Sequence, residues 1–316
     1  MTAVRRAELA EEVVKSVRER EGAKMQFRIL DVFAETKYSG NQLGVFLCET
    51  ALPEEAMQRM ARELNFSESV FLLSREGADA PVGIRIFTPA HEVDFAGHPS
   101  LGAAFAAYNY LLKDRPDTVR LLTKAGIIPV EMPKEEGGPL WMRQIPPVFG
   151  EEFATSELAD ILSIDADAIL GKYPVQDVST GLPHIIIPVA TLDALRAAKV
   201  NKEKYFRFIE HAHAKNLLLF CLEARSETHD VSVRMFADYL GVPEDPATGS
   251  GNGCLAGYLV KHRILNSRKI ECVVGQGHEI GRPSLLFLKA GERDDGAIDI
   301  MVGGRVFEIA SGEWTV

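Results

Sequence analysis

The chain carries one ordered set of landmarks twice, offset by about 150 residues. The stretch from Asp31-Val-Phe through Gly40-Asn-Gln-Leu-Gly-Val-Phe46 is answered by Asp177-Val-Ser-Thr-Gly-Leu-Pro-His-Ile-Ile-Ile-Pro-Val189. Asn65-Phe-Ser-Glu-Ser-Val-Phe71 is answered by Asn216-Leu-Leu-Leu-Phe-Cys-Leu222, and Ile84-Arg-Ile-Phe87 by Val233-Arg-Met-Phe236. Asp94 to Gly97-His98 with its helix is answered by Asp245 to Gly249-Ser250 with its helix. A duplication of this kind predicts two similar domains facing each other across a pseudo-two-fold axis. The 316 residues suffice for two cores. The boundary is expected near Gly150, giving units 25–149 and 150–316. Residues 1–24 form an appended extension, read as an amphipathic helix with Leu9, Val13, Val14 and Val17 on one stripe. Met25 is expected to begin the fold.

Local pattern supplies the elements. Phe27–Phe33 alternates as a strand and Leu43–Leu47 is a second. Pro53–Leu64 reads as a helix with proline at its start. Asn65–Leu73 and Gly83–Phe87 are strands, followed by a turn-rich loop, 88–97. Pro99–Leu112 is an Ala/Leu-rich helix, 119–132 and 139–148 are short strands, and Thr155–Leu162 is a helix capped by Thr155 or Ser156.

The 45 acids against 35 bases leave a net charge of -10, which argues against a nucleic-acid partner. No apolar run is long enough to cross a membrane, and no signal-peptide core stands at the N-terminus. Cys48, Cys221, Cys254 and Cys272 are scattered, with no Cys/His cluster at metal spacing. A cytoplasmic protein without bound metal is the expectation.

Both glycine turns open a helix, and helix N-termini attract anions through unpaired N–H groups and the dipole. Alone, either turn could be a simple cap. Two of them facing one cleft would hold a carboxylate or a developing enolate oxygen. Comparing the halves singles out Glu68, which stands where the second half, matched from the asparagines, has Leu219. A buried glutamate there would have a raised pKa suited to proton transfer; the plainer alternative is a solvent-facing strand edge. His98 after Gly97 is a candidate donor or relay, Ser250 its counterpart, and Asp245 an acid at the rim of the second turn. His184 is a candidate cleft residue, His91 and Glu92 shape the first turn, and His211 and His213 belong to a polar surface helix.

These residues resemble the phenazine-biosynthesis isomerase family (PhzF-like proteins), within the diaminopimelate-epimerase fold. The resemblance rests on Ser39-Gly-Asn41, Asn65 to Phe71, Arg85-Ile-Phe-Thr-Pro89 with Phe95-Ala-Gly-His-Pro99, Ser179-Thr-Gly-Leu-Pro183 and Glu244 to Ser250. It implies an α+β fold with two similar domains, each a β-barrel-like sheet around a central helix. It further implies a homodimeric isomerase without a cofactor. On the matching positions Glu68, His98 and Asp245 would be catalytic, and Asn41, Gly97, Gly249 and Ser250 would bind a small carboxylate substrate. Relatives that racemise amino acids place a cysteine before each glycine turn; Ala96 and Thr248 stand there. Gln42 departs from the family's frequent proline. An epimerase lacking the cysteine pair and a non-catalytic carboxylate binder are the competing readings. A nucleotide enzyme is disfavoured because no Gly-Lys-Ser/Thr follows either turn.

Overall fold

The computed structural model describes residues 24–50, 52–73 and 80–316; the expected helix within residues 1–24 lies outside them, apart from Lys24. Among the described residues, seventeen strands join into one hydrogen-bonded system. The first half runs Val306–Thr315, Lys24–Val32, Asn41–Cys48, Glu68–Leu73, Val82–Phe87, Thr118–Thr123, Gly126–Glu131, Leu140–Gln144. The second runs Val148–Phe153, Val175–Ser179, Pro183–Pro188, Asn216–Cys221, Val231–Phe236, Lys269–Gln276, Ser284–Glu292, Ile298–Gly304. Parallel and antiparallel pairings fall at corresponding places in both. Leu140–Gln144 pairs with Ile298–Gly304 and joins the halves.

Two expectations need correction here. Val148–Phe153 already pairs with the second sheet, so the crossing falls at Ile145-Pro-Pro147 rather than at residue 150. Val306–Thr315 returns to pair with Lys24–Val32, so the unit expected at 150–316 gives its final strand to the first sheet.

Each sheet wraps one helix. Gly97–Tyr110 packs on the strands of the first half and Gly249–Lys261 on those of the second. Both are Gly/Ala-rich, and His98 through Ala104 and Gly251 through Val260 are buried on every side. This is the pattern of a helix enclosed by sheet rather than laid upon it. Close approach requires small residues: a Cβ on Gly102 would lie 2.3 Å from Leu43 Cδ2 and 3.1 Å from Val32 Cγ2. Gly102→Ala is therefore expected to cost about 1–3 kcal/mol by overpacking, read as a lower denaturant midpoint at unchanged m-value.

Outer helices complete the layers. Glu54–Leu64 buries Met57, Met60 and Ala61, an i, i+3, i+4 stripe, against the Phe46–Phe71–Phe87 aromatic cluster. It ends where Asn65 adopts φ 54°, ψ 29°, a left-handed cap. The strand expected from Asn65 consequently starts at Glu68. Thr155–Leu162 forms as expected, but its cap residue is Ala154 and no side chain caps it. His211 and His213 follow the helix Lys202–Ile209 rather than belonging to it, although both are exposed.

Candidate active site

The two core helices meet end to end. A Cβ on Gly97 would stand 3.5 Å from Gly249 Cα, and one on Gly249 would stand 3.7 Å from Gly97 Cα. No side chain at the cap residues, Ala96 and Thr248, bonds the first-turn N–H groups. A threonine at that position would ordinarily cap its own helix. Here the Thr248 hydroxyl instead donates to Asp245 Oδ2. Both helix starts therefore keep backbone donors and positive dipole ends for a ligand.

Beside this junction lies a cavity of about 640 Å³. Glu68, His98, Gly97, Gly249, Ser250 and His91 are among the residues that line it. Its apolar walls come from Phe66, Phe95, Leu182, Tyr239 and Pro243, contributed by both halves. Sequence reasoning missed these, because a wall residue carries no local signature. The volume is that of an ordinary small-molecule site.

Glu68 begins its strand with its side chain 21% exposed, and Oε2 lies 3.6 Å from Nε2 of His98, whose side chain is 6% exposed. Burial pushes the Glu68 carboxyl up to about 7, partly offset by the Ser67 hydroxyl. Burial pushes His98 down to about 4, against the opposing pull of Asp245 and a backbone hydrogen bond with Gln42. The imidazole is thus neutral at pH 7, and its Nε2 makes no hydrogen bond within the described residues. A neutral ring and a carboxyl poised near neutrality are what proton transfer to and from carbon requires.

Asp245 and Asn41 are placed differently from expectation, since neither lines the cavity. Asn41 is buried, its Nδ2 donating to Asp245 Oδ1 (2.8 Å) and Ala247 O (3.1 Å), while its Oδ1 accepts from Ser67 Oγ (3.1 Å). It is a strut behind the wall. Burial pushes Asp245 up to about 6, with Thr248 and Asn41 opposing and the Glu68 charge adding. Asp245 therefore sits behind the wall and not at a rim.

Strand registers also correct the pairing of the halves. Arg85 lies opposite Phe71 and Arg234 opposite Leu219, so Leu219 corresponds to Phe71. The counterpart of Glu68 is Asn216, the first residue of its strand. Likewise Ile86 pairs with Val93 while Met235 O accepts from Asp245 N, so Val93, not Asp94, corresponds to Asp245. The asymmetry between the halves survives, with a carboxylate on one side and an amide on the other. His184 is fully buried and off the cavity, with Nδ1 2.9 Å from Leu182 O.

A second missed device is an arginine clamp in each half. Arg85 bonds Glu92 through Nε (2.7 Å) and Nη2, and Arg234 bonds Glu244 through Nε (3.0 Å) and Nη2 (2.8 Å). Glu92 precedes Gly97 by the same spacing as Glu244 precedes Gly249. That equal spacing, with the repeated Arg-x-Phe, was the available signal.

Comparison with known proteins identifies the family. The family model described as phenazine biosynthesis-like protein matches residues 30–312. The chain belongs to that family. It is 36% identical over 282 residues to the trans-2,3-dihydro-3-hydroxyanthranilate isomerase of Pseudomonas fluorescens, covering 87% of this chain and 94% of that one. The crystal structure of a Bacillus anthracis phenazine biosynthesis protein of the PhzF family superposes with a TM-score of 0.83 at 29% identity, covering 93% and 100% of the two chains. A hydroxyproline epimerase from Agrobacterium vitis, 12% identical, superposes with a TM-score of 0.61 over 93% and 92% and shares the fold. The phenazine biosynthesis-like chain is an isomerase with the epimerase-type α+β fold.

Ala96 and Thr248 are structurally equivalent cap residues, so no thiol stands before either glycine turn. Cys254 is buried in the second core helix against Thr180 and His184, and burial holds its thiol up at about 12. No helix of the described residues is long and apolar enough to cross a membrane. Among the described residues no cluster of three His, Cys, Asp or Glu could hold a metal ion.

Proposed function

We propose that this isomerase needs no cofactor and moves a proton between carbons of a small carboxylate held at the meeting point of the two core helices. The observation that carries the reading is Glu68. It is held near neutrality by burial, lines the cavity and stands beside two uncapped helix starts. The N–H groups of the first turns, from Gly97 and Gly249 onward, bind the substrate carboxylate, with Ser250 at the same wall. Glu68 removes a proton from a carbon conjugated with that carboxylate. The C–H electron pair spreads into the carboxylate as an enolate, which the helix dipoles stabilise. Glu68, now protonated, returns the proton at another carbon, so the atoms of the substrate are conserved. His98 donates from its neutral ring. Asp245 acts from behind the wall through its charge.

The Pseudomonas fluorescens relative is named for a ring carboxylate, trans-2,3-dihydro-3-hydroxyanthranilate. That compound is the first substrate to test. Incubated with the protein in deuterated water, it is expected to acquire solvent deuterium at a ring carbon as it isomerises. Binding without exchange would make the protein a carboxylate binder and overturn the reading. The kinship also suggests a homodimer, which light scattering reads directly.

The pH dependence follows from the same carboxyl. A base is active when deprotonated, and the folded pKa of Glu68 is about 7. Below that value kcat/KM is expected to fall about tenfold per pH unit, and above it to level off. A profile flat between pH 5 and 8 would exclude Glu68 as the base.

A further inference from the structure

We propose that Gln276 and Thr248 form a hydrogen-bond relay of fixed direction that holds Asp245 as a carboxylate and leaves the mobile proton to Glu68. The orientation of each amide is decided by backbone groups that admit only one role. Gln276 is fully buried. Its Oε1 faces the Thr248 N–H (3.3 Å), a donor, and its Nε2 faces the Asp245 carbonyl (2.8 Å), an acceptor. Asn252 Nδ2 secures the same Oε1 at 2.8 Å. The second Nε2 proton then goes to Thr248 Oγ1 at 2.9 Å. With that lone pair occupied, the threonine hydroxyl points its only proton at Asp245 Oδ2, 2.5 Å away.

The other carboxylate oxygen is constrained in the same way. Asn41 Nδ2 touches the Ala247 carbonyl, which fixes it as the nitrogen, and donates to Asp245 Oδ1. Both oxygens of Asp245 thus accept from committed donors, and those bonds are stronger to the charged carboxylate than to the neutral acid. Donors to the charged form keep a buried carboxyl ionised. Among the described residues, the titratable groups acting on Asp245 are Glu68, at the start of its strand, and the neutral His98. The hydroxyl that would favour the charged form of Glu68, that of Ser67, has one proton, and it already faces Asn41 Oδ1. Of the two neighbouring acids, the one at the cavity is therefore the one that gains and loses a proton, while Asp245 stays charged. Thr248 gives up the capping role of its position to serve this relay. Gln276 and Thr248 are positioning residues, since neither lines the cavity.

The inference rests on the isomerase reading above, and its test is independent of turnover. The full-length protein is labelled with 13C at the aspartate carboxyl carbons, and the Asp245 signal is assigned by its loss in Asp245→Asn. Thr248→Val, which preserves shape, is expected to raise the Asp245 titration midpoint by about one pH unit. Gln276→Met is expected to move it the same way, and Thr248→Ser to restore the wild-type value. An unmoved midpoint in Thr248→Val, or an equal shift in Thr248→Ser, overturns the relay. Should Gln276→Met not fold, the two threonine variants decide alone. If the relay fails while Glu68→Gln abolishes deuterium exchange, only this inference falls. If Glu68→Gln still exchanges while the midpoints move, the reading of the base falls and the relay stands.

Discussion

Glu68→Gln is expected to lower turnover by roughly a hundred- to ten-thousand-fold while making the protein more stable in alkaline solution. The first effect follows from removing the base at unchanged size. The second follows from linkage. The folded carboxyl has a pKa of about 7, above its ordinary 4.5, because burial penalises the charge. The folded state therefore binds the proton more tightly than the unfolded state does. No penalty exists below about pH 4.5; it grows as pH rises through 7 and is constant above. The glutamine variant should match wild type at pH 4.5 and gain on the order of 2–3 kcal/mol at pH 8. Denaturant titrations at the two pH values read the difference. A variant that is inactive but gains nothing at pH 8 would mean that the carboxyl is well solvated. The loss of activity would then need another cause.

Arg234→Met is expected to produce the largest loss of stability, about 3–5 kcal/mol. Its guanidinium is nearly enclosed and makes a two-pronged pair with Glu244. Its Nη1 also donates to the carbonyls of Leu195 (3.0 Å), Arg196 (3.1 Å) and Ala198 (2.7 Å), at the end of the helix Leu192–Ala197. Removing it strands a buried carboxylate and uncaps that helix at once. Arg85 makes the corresponding join in the first half, bonding Glu92 and reaching Glu54 in the first turn of Glu54–Leu64 (2.7 Å). The double variant Arg234→Met, Glu244→Leu should recover part of the loss, because the orphaned charge is gone. Equal instability of single and double variants would place the whole cost in the carbonyl contacts.

Much of the fold was legible because it is local. The Gly/Ala-rich helices, the alternating strands and the two glycine turns each carry their own pattern. The duplication then told which turns had to face each other, and Gly97 against Gly249 is the result. Contacts that close over long separations were not legible. Arg282 binds Asp31 Oδ1 (2.6 Å) and the carbonyls of Ser39 (2.8 Å) and Gly40 (2.9 Å), tying the second half to the loop that carries Asn41. Nothing in Gly-Arg-Pro283 announces that role. Counting from matched asparagines misassigned Leu219, since Asn65 is spent on ending a helix whereas Asn216 opens a strand. Asn41 and Asp245 were found, but which side of the cavity wall they occupy depends on packing alone.

The strand Val306–Thr315 sets an order of events during synthesis. Its partner Lys24–Val32 emerges from the ribosome long before it, since Lys24 and Glu313, which bond across the finished ladder, are 289 residues apart. Until Val306–Thr315 has been made, that flank of the first sheet has no neighbour. An unpaired strand flank is a template for aggregation, and closing so long a loop is slow. Much of the second half must also exist before the first can be sealed, so an isolated amino-terminal fragment should be a client of chaperones rather than a free-standing domain. Damage to Val306–Thr315 would likewise be felt at Lys24–Val32.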